Sequence, residues 1–240
     1  MVECGTRLFP LTKCINKHLL PIGNKPMAQW NIEKLVKAGI TDILIISGQE
    51  HCGSIISQFG DGSDYHCNLT YKVQAKAGGI AEAILLAEDW AGDSNIFVIL
   101  GDNISNIDIS QYTTSRWNHQ GATIFLKSVK DPQRFGVAEF YQKMDLMGTN
   151  ACVVTNIEEK PKEPKSNYAV TGYYLYDNTV FNRIKKLNYS ARGELEVTDL
   201  NLSYLRDNKL SGILMNKNTI WTDAGTLESY KYANKIIENF

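Results

Sequence analysis

The stretch from Gly5 to Met27 reads GTRLFPLTKCINKHLLPIGNKPM. Pro10, Pro21 and Pro26 interrupt it, each removing a backbone donor and restraining its predecessor, so one continuous helix is excluded. Lys13, Lys17 and Lys25 recur along this stiff path after Arg7. Repeated cations on a rigid loop suit a ligand bearing several phosphates. Gly5 lets the backbone approach phosphate oxygens, and its neighbouring N–H groups form an anion-binding concavity. Read without its context, the same loop is a solvated basic segment.

Working outward, apolar Ala28, Ile32, Leu35 and Val36 share one helical face between Met27 and Ala38, and Gly39 stops that helix. Ile43–Ser47 (ILIIS) reads as a buried strand, Ile55–Phe59 as a short helix and Leu69–Val73 as a strand leading into Gln74. A helix is expected over Gly79–Trp90, then a fully buried strand at Ile96–Leu100 (IFVIL) ending at Gly101-Asp102-Asn103. Ile107–Asn118 is expected to be helical and Ala122–Val129 a strand. Gly136–Tyr141 and Cys152–Glu158 form two antiparallel strands about a turn near Asp145–Asn150. Ala169–Tyr176 and Gly212–Met215 are further strands; Thr179–Leu187, Val197–Asp207 and Leu227–Glu238 are helices. Alternating strands and helices predict an α/β fold, Rossmann-like, with a mostly parallel sheet flanked by helices and ligands beyond the strands' carboxyl ends.

A chain of 240 residues is long enough for one such domain carrying a small inserted lobe. The expected division is a nucleotide-binding half over about residues 1–130, a sugar-phosphate part over about 131–226, and a C-terminal helix from 227 to 240. A formal net charge of −1 argues against a general nucleic-acid binder, so phosphate chemistry must come from local cations. Five cysteines, odd in number and without CxxC spacing, suggest neither a disulfide framework nor a zinc site. No apolar run reaches transmembrane length and no signal peptide precedes the first motif, so a soluble, reduced, cytoplasmic protein is expected.

Asp102 directly follows a strand. It serves either as a turn residue or helix cap, or as a ligand for Mg2+, which prefers a few carboxylates plus substrate phosphate oxygens. The second acid such a site needs is Asp223, in Trp221-Thr222-Asp223-Ala224-Gly225-Thr226. The Gln74 amide can pair with both a donor and an acceptor on a pyrimidine edge, and Gly79 leaves space for a base. Glu158-Glu159-Lys160-Pro161 supplies carboxylates and a cation at a strand end, a pattern that also describes an ordinary solvated charge cluster. No Ser-His-Asp or Cys-His set is apparent, and His18 reads as a loop histidine.

The Gly5–Met27 stretch resembles the signature G-[ST]-R-L-x-P-L-T-x(4)-K-x-L-L-P-[IV]-x(3)-P of the sugar-1-phosphate nucleotidylyltransferases, notably the glucose-1-phosphate thymidylyltransferases of the short spore-coat polysaccharide type. The resemblance runs from Gly5 to about Thr226. It implies a Mg2+-dependent reaction of dTTP or UTP with a sugar 1-phosphate such as glucose 1-phosphate, yielding a nucleotide-sugar and pyrophosphate. In its terms Gly5, Thr6 and Arg7 hold the triphosphate, and Lys17 bridges phosphates near the reacting centre. Gln74 and Gly79 take the base-recognition positions, and Asp102 and Asp223 hold the metal. Glu159 binds sugar hydroxyls, Lys160 neutralises the sugar phosphate, and Gly136, Val170 and Tyr174 surround the sugar, although strand core explains the last two equally well.

The chain departs from that pattern in two places. Ala75 replaces an expected aspartate. Where the family begins with an apolar strand and a Leu-Ala-Gly-Gly turn, only Met1, Val2, Glu3 and Cys4 precede Gly5, with Val2 and Glu3 at the positions of the paired glycines. That predicts an open seam in the sheet and lowered stability. It also keeps a second reading in play, a degenerate homologue that binds nucleotide-sugar without catalysis. Relatives commonly assemble into dimers or tetramers, so a homo-oligomer is among the expectations.

Overall fold

The computed structural model describes residues 6–13, 15–113, 120–142 and 150–240. In chain order, β1 (Pro21–Ile22) and β2 (Lys25–Pro26) precede α1 (Met27–Lys37), β3 (Asp42–Gly48), α2 (Cys52–Phe59) and β4 (Asn68–Gln74). Then come α3 (Ile80–Leu85), α4 (Glu88–Ala91), β5 (Ile96–Ile99), β6 (Asn103–Ser105), β7 (Ala122–Ser128), β8 (Gly136–Gln142), β9 (Ala151–Glu159) and β10 (Tyr168–Tyr176). The chain finishes with α5 (Val180–Ile184), α6 (Val197–Arg206), β11 (Leu210–Leu214), β12 (Trp221–Asp223) and α7 (Leu227–Ile236).

These elements pack as two compact units whose segments interleave: residues 1–78, 100–118 and 219–240 in the first, 79–99 and 119–218 in the second. The partition does not follow the expected divisions near residues 130 and 226, because the segment after β5 pairs with the segment around β12, far along the chain.

In the first unit α1 buries Met27, Ile32 and Leu35, as its 3.6-residue spacing requires, and Gly39, at φ +82°, follows it in the left-handed region. Ile22, Met27, Ile104, Ala224, Ala233 and Ile237 form a core flanked by Trp30 and Tyr230. Both aromatic polar groups reach the β1 backbone: Trp30 Nε1 donates to Ile22 O at 3.0 Å, and the Tyr230 hydroxyl to Pro21 O at 2.6 Å. A capping box, in which Thr226 and Ser229 exchange side-chain and backbone bonds, starts α7. β3 and β4 run parallel, and β6 and β12 antiparallel with Asn103 opposite Asp223.

The second unit is built on a six-stranded sheet in the order β5-β10-β7-β11-β9-β8, with a further bridge from β10 to β8 at Ala169 and Val137. Phe125, Tyr173, Tyr176 and Tyr204 are among its fully buried side chains. Phe125 packs 6.2 Å from Tyr173, and Tyr176 stacks 5.8 Å from Tyr204, ring centroid to ring centroid.

The α/β class stands, but parallel pairing is confined to β3–β4 and β7–β11; every other described pairing is antiparallel. Consecutive strands such as β8 and β9 are separated by only eight residues, between Gln142 and Ala151, fewer than the dozen or so a parallel crossover takes, and they pair antiparallel. Three local expectations also change. The helix at Gly79–Trp90 divides into α3 and α4, because Ala87 N bonds to Ile84 O at 2.9 Å and tightens the turn between them. Over Ile107–Thr113 the backbone makes only a short 3-10 turn at Ser110–Tyr112, where the Asp108 carboxylate accepts Ser110 N–H at 2.9 Å and competes with helical bonding. The rest of that expected helix, and the turn at 145–149, lie outside the described residues. Phe97–Ile99 are partly exposed rather than fully buried, since β5 is an edge strand; β3 likewise pairs on one side alone among the described residues. No helix among the described residues is long and apolar enough to cross a membrane.

Candidate active site

In the first unit, Asn16 caps a 3-10 turn at Lys17–Leu19 by accepting the His18 N–H on its side-chain oxygen at 2.8 Å. Leu20 N closes that turn on Lys17 O, and Pro21 then stops further helix. The turn points Lys17 inward, where only 3% of the residue is exposed. Its Nζ donates to Asp102 Oδ2 at 2.8 Å. Asp102 Oδ1 accepts Asn103 Nδ2 at 3.1 Å, while Asn103 Oδ1 accepts Trp221 Nε1 at 2.7 Å. Ala224 N closes the same corner on Asp102 O at 2.7 Å.

The β6–β12 pairing therefore brings the two sequence-predicted acids together. A Cβ at Gly225 would stand 3.6 Å from Asp102 Oδ2 and 3.6 Å from Asp223 Oδ2. Gly225 has no Cβ, so two carboxylate oxygens face a shared space. They are hard oxygen donors of the kind that hold a small divalent cation. Among the described residues no group of three or more His, Cys, Asp and Glu side chains forms a fuller metal cage. Burial pushes the Asp102 carboxyl up, but the charge of Lys17 and hydrogen bonds from Lys17 and Asn103 outweigh it, holding the group well below the usual carboxylate range. Burial first, and then the neighbouring Lys17, lower His18 from 6.5 to about 3, so its ring is neutral at pH 7 and Lys17 supplies the positive charge beside Asp102.

Arg7 is exposed in the 3-10 turn Thr6–Leu8. Gln74, 1% exposed, ends β4 opposite Gly48. Gly5 and the side chain of Thr6 lie outside the described residues.

The second unit assembles the sugar-phosphate candidates. Gly136 opens β8 directly opposite Glu159. A Cβ there would stand 3.4 Å from Glu159 Oε2, 3.5 Å from Thr198 Oγ1 and 3.7 Å from Val170 Cβ, so the glycine leaves a recess lined by these three side chains. Thr198 donates to Glu159 Oε2 at 2.6 Å, and Lys160 Nζ lies 3.1 Å from Glu159 Oε1. Lys160 adopts φ +45°, a sparsely populated conformation for a residue with a Cβ, and its N–H bonds to Phe135 O at 3.0 Å. Arg192 bonds Glu196 at 2.9 Å; that bond, with the charges of Glu196, Glu194 and Glu159, raises the guanidinium.

Tyr174 is placed in the core, 3% exposed and stacked 5.9 Å from Tyr176, whereas Val170 is partly buried at the recess. Gly79, at φ +95°, would place a Cβ 2.4 Å from Leu195 O, so packing and conformation within this unit already require a glycine. Thr198 and Arg192 are the site residues that sequence reasoning passed over. The run Ala191–Glu196 points to the neighbourhood, but nothing in a spacing of 39 residues marks Thr198 as a partner of Glu159.

A family model described as nucleotidyl transferase matches residues 4–239. The chain is 41% identical over 236 residues to a glucose-1-phosphate thymidylyltransferase of Neisseria meningitidis, covering 98% of this chain and 79% of that protein. It is 39% identical over 234 residues to the enzyme of the same name from Mycolicibacterium smegmatis, covering 97% of this chain and 78% of that one. A Bacillus anthracis crystal structure, provisionally named a glucose-1-phosphate thymidylyltransferase and solved with sucrose, matches at a TM-score of 0.89 and 48% identity, covering 99% of this chain and 93% of that one. A UDP-glucose pyrophosphorylase solved with UDP-glucose has a TM-score of 0.85 at 22% identity, covering 99% and 96%, and attests the fold.

Proposed function

The chain belongs to the nucleotidyl transferase family, and on that premise we propose that it joins dTTP to glucose 1-phosphate, releasing pyrophosphate and forming dTDP-glucose. An oxygen of the sugar phosphate forms a bond to the α-phosphorus as the bond to the bridging α–β oxygen breaks, and the electron pair leaves with pyrophosphate. No covalent enzyme intermediate is needed; the protein's task is to position two anions and disperse their charge.

The observation that carries this reading is the convergence of Lys17, Asp102 and Asp223 beside Gly225. Asp102 is ionised and Lys17 protonated, so the site holds fixed charges of both signs before substrate arrives. Asp102 and Asp223 fit Mg2+, for their oxygens face a space that a Cβ would otherwise fill. When bound, the ion screens the phosphate charges from each other and acts as a Lewis acid. The Lys17 ammonium, held beside Asp102, is assigned to the phosphate oxygens. Arg7, exposed on its turn, is assigned to the triphosphate and the departing pyrophosphate. The buried Gln74 amide is assigned to the pyrimidine edge.

In the second unit, Glu159 uses one lone pair on Thr198 and one on Lys160, leaving acceptor capacity for sugar hydroxyls. Lys160 and Arg192 bring two cations to the sugar phosphate, with Gly136 and Val170 lining the recess.

The test is pyrophosphate release from the purified protein with Mg2+, glucose 1-phosphate and either dTTP or UTP. Turnover that falls at least about 100-fold in Asp102→Asn is the expected result. Saturable nucleotide-sugar binding with no pyrophosphate release from either triphosphate would sink the catalytic reading and leave a binding protein.

A further inference from the structure

Two side chains on one face of α1 grip the backbone on either side of the Asp102 corner. Asn31 and Lys34 are three positions apart, so they project from the same side of the helix. Asn31, only 6% exposed, turns its amide nitrogen to Leu100 O and Gly101 O, each at 3.5 Å. Both partners can only accept, which fixes the nitrogen toward them and the oxygen away. Leu100 O also accepts Asn103 N at 3.0 Å, closing the turn that carries Asp102. At the far end of β6, Lys34 Nζ donates to Ser105 O at 2.6 Å and to Ile107 O at 3.1 Å. Ser105 Oγ accepts Ile107 N–H at 3.1 Å within the same turn. Burial first, and then the charge of Lys37, lower the Lys34 amine from 10.5 to about 8 against the opposing pull of Asp108. It remains a cation at pH 7, and protonated or neutral it has hydrogens for both carbonyls.

Between these two anchors lie Asp102, Asn103 and Ile104. β6 meets β12 through three pairs: Asn103 with Asp223, Ile104 with Thr222 and Ser105 with Trp221. A slip of one residue would carry Asn103 off Asp223 and turn alternate side chains to the opposite face. Asn31 holds the entry to that short ladder and Lys34 its exit. Stability alone does not account for Asn31. Its Oδ1 is buried and meets no donor among the described residues, an arrangement that costs free energy. Leucine would fill a similar space without an unpaired acceptor.

We infer that Asn31 and Lys34 are positioning residues for nucleotidyl transfer, fixing the strand register that turns the Asp102 and Asp223 oxygens toward one cation. The inference rests on the proposed metal reading and deepens it, for it assigns the geometry of the acid pair to a helix that bears neither acid.

The experiment is Mn2+ titration of the full chain read by electron paramagnetic resonance, with circular dichroism and urea midpoints on the same samples. Asn31→Leu and Lys34→Met are each expected to weaken Mn2+ binding by about 10-fold or more. Asn31→Leu does so at an unchanged or higher urea midpoint, which a merely structural role would not give. Removing a nearby cation by itself tightens cation binding, so weakening in Lys34→Met reports the lost carbonyl bonds and not the lost charge. Lys34→Arg, which keeps donors for both carbonyls, retains most of the affinity. The exposed Lys37, changed to methionine, leaves Mn2+ binding no weaker than in wild type. In pyrophosphate release both weakened variants lose kcat, while the KM for glucose 1-phosphate, whose recess lies in the second unit, holds. Wild-type Mn2+ affinity in folded Asn31→Leu and Lys34→Met overturns the positioning role and leaves the metal site standing; Asn31→Leu alone decides it if Lys34→Met does not fold. Weakening in Asn31→Leu only alongside a lowered midpoint also overturns it. Failure of the folded wild type to bind Mn2+ overturns the metal reading, and this inference with it.

Discussion

Lys17 and Asp102, 85 positions apart, meet with Nζ 2.8 Å from Oδ2, and their side chains are only 2% and 12% exposed. Each charge is removed from water and each compensates the other. The same carboxylate oxygen faces the space beside Gly225 that Asp223 also faces. One ion pair therefore links the loop that opens the chain to the corner carrying both acids.

Breaking the pair from one side strands a buried charge. Lys17→Met or Asp102→Asn alone is predicted to destabilise the fold by roughly 3–5 kcal/mol, whereas Lys17→Met combined with Asp102→Leu recovers much of that loss. None of the three variants should release pyrophosphate at the wild-type rate. Urea midpoints and slopes give the stability arm, and equal midpoints for the single and double variants would contradict the account.

His18 supplies a pH signature. Its folded pKa is lowered from 6.5 to about 3, so between those values the unfolded chain binds more protons than the native one. The stability it contributes is fully present above 6.5, declines as pH falls through the window, and is exhausted near 3. The slope from this residue is at most about 1.4 kcal/mol per pH unit. His18→Gln should flatten the urea midpoint against pH across that window; an unchanged slope would show that the ring protonates freely in the native state.

Two glycines should separate packing from chemistry. Gly225→Ala meets nothing nearer than 3.6 Å, so its stability should stay within about 0.5 kcal/mol of wild type. The new methyl nevertheless sits between the two carboxylates, and Mn2+ affinity read by electron paramagnetic resonance should fall at least about 10-fold. Gly79→Ala puts a Cβ 2.4 Å from Leu195 O at φ +95°, and should cost about 2 kcal/mol or more. Retained metal affinity in Gly225→Ala would dismiss the shared-space argument.

Lys160 holds a conformation that its side chain disfavours, at φ +45°. Lys160→Gly should gain up to about 1 kcal/mol in stability while raising the KM for glucose 1-phosphate. Thr198→Val keeps the shape of Thr198 but removes the donor to Glu159 Oε2. About 1 kcal/mol of sugar binding, or roughly a 5-fold rise in the same KM, is expected. A KM for dTTP that moved equally in both variants would point to general damage instead of a sugar-phosphate role.

Much of the local structure was legible before any coordinates. The faces of α1, α2, α6 and α7 and the apolar runs of β3, β7 and β10 are short-range patterns, and each produced the element expected of it. The helix at 107–113 failed for an equally local reason, the Asp108 carboxylate competing for the Ser110 N–H. Within the candidate site, Asp102, Asp223, Glu159 and Lys160 could be nominated from residue type and motif.

What the sequence by itself determined was therefore the set of elements and the loops bearing charge. Only the tertiary structure decided which charges meet. Asn103 faces Asp223 because β6 pairs with β12 and Trp221 Nε1 bonds Asn103 Oδ1, 118 positions away. Thr198 reaches Glu159 because the second residue of α6 comes to rest over the end of β9, and Gly225 matters because its missing Cβ falls between two carboxylates. Helical and strand periods report interactions over a few residues. Register between distant segments follows from non-local backbone pairing and burial, which no local period encodes.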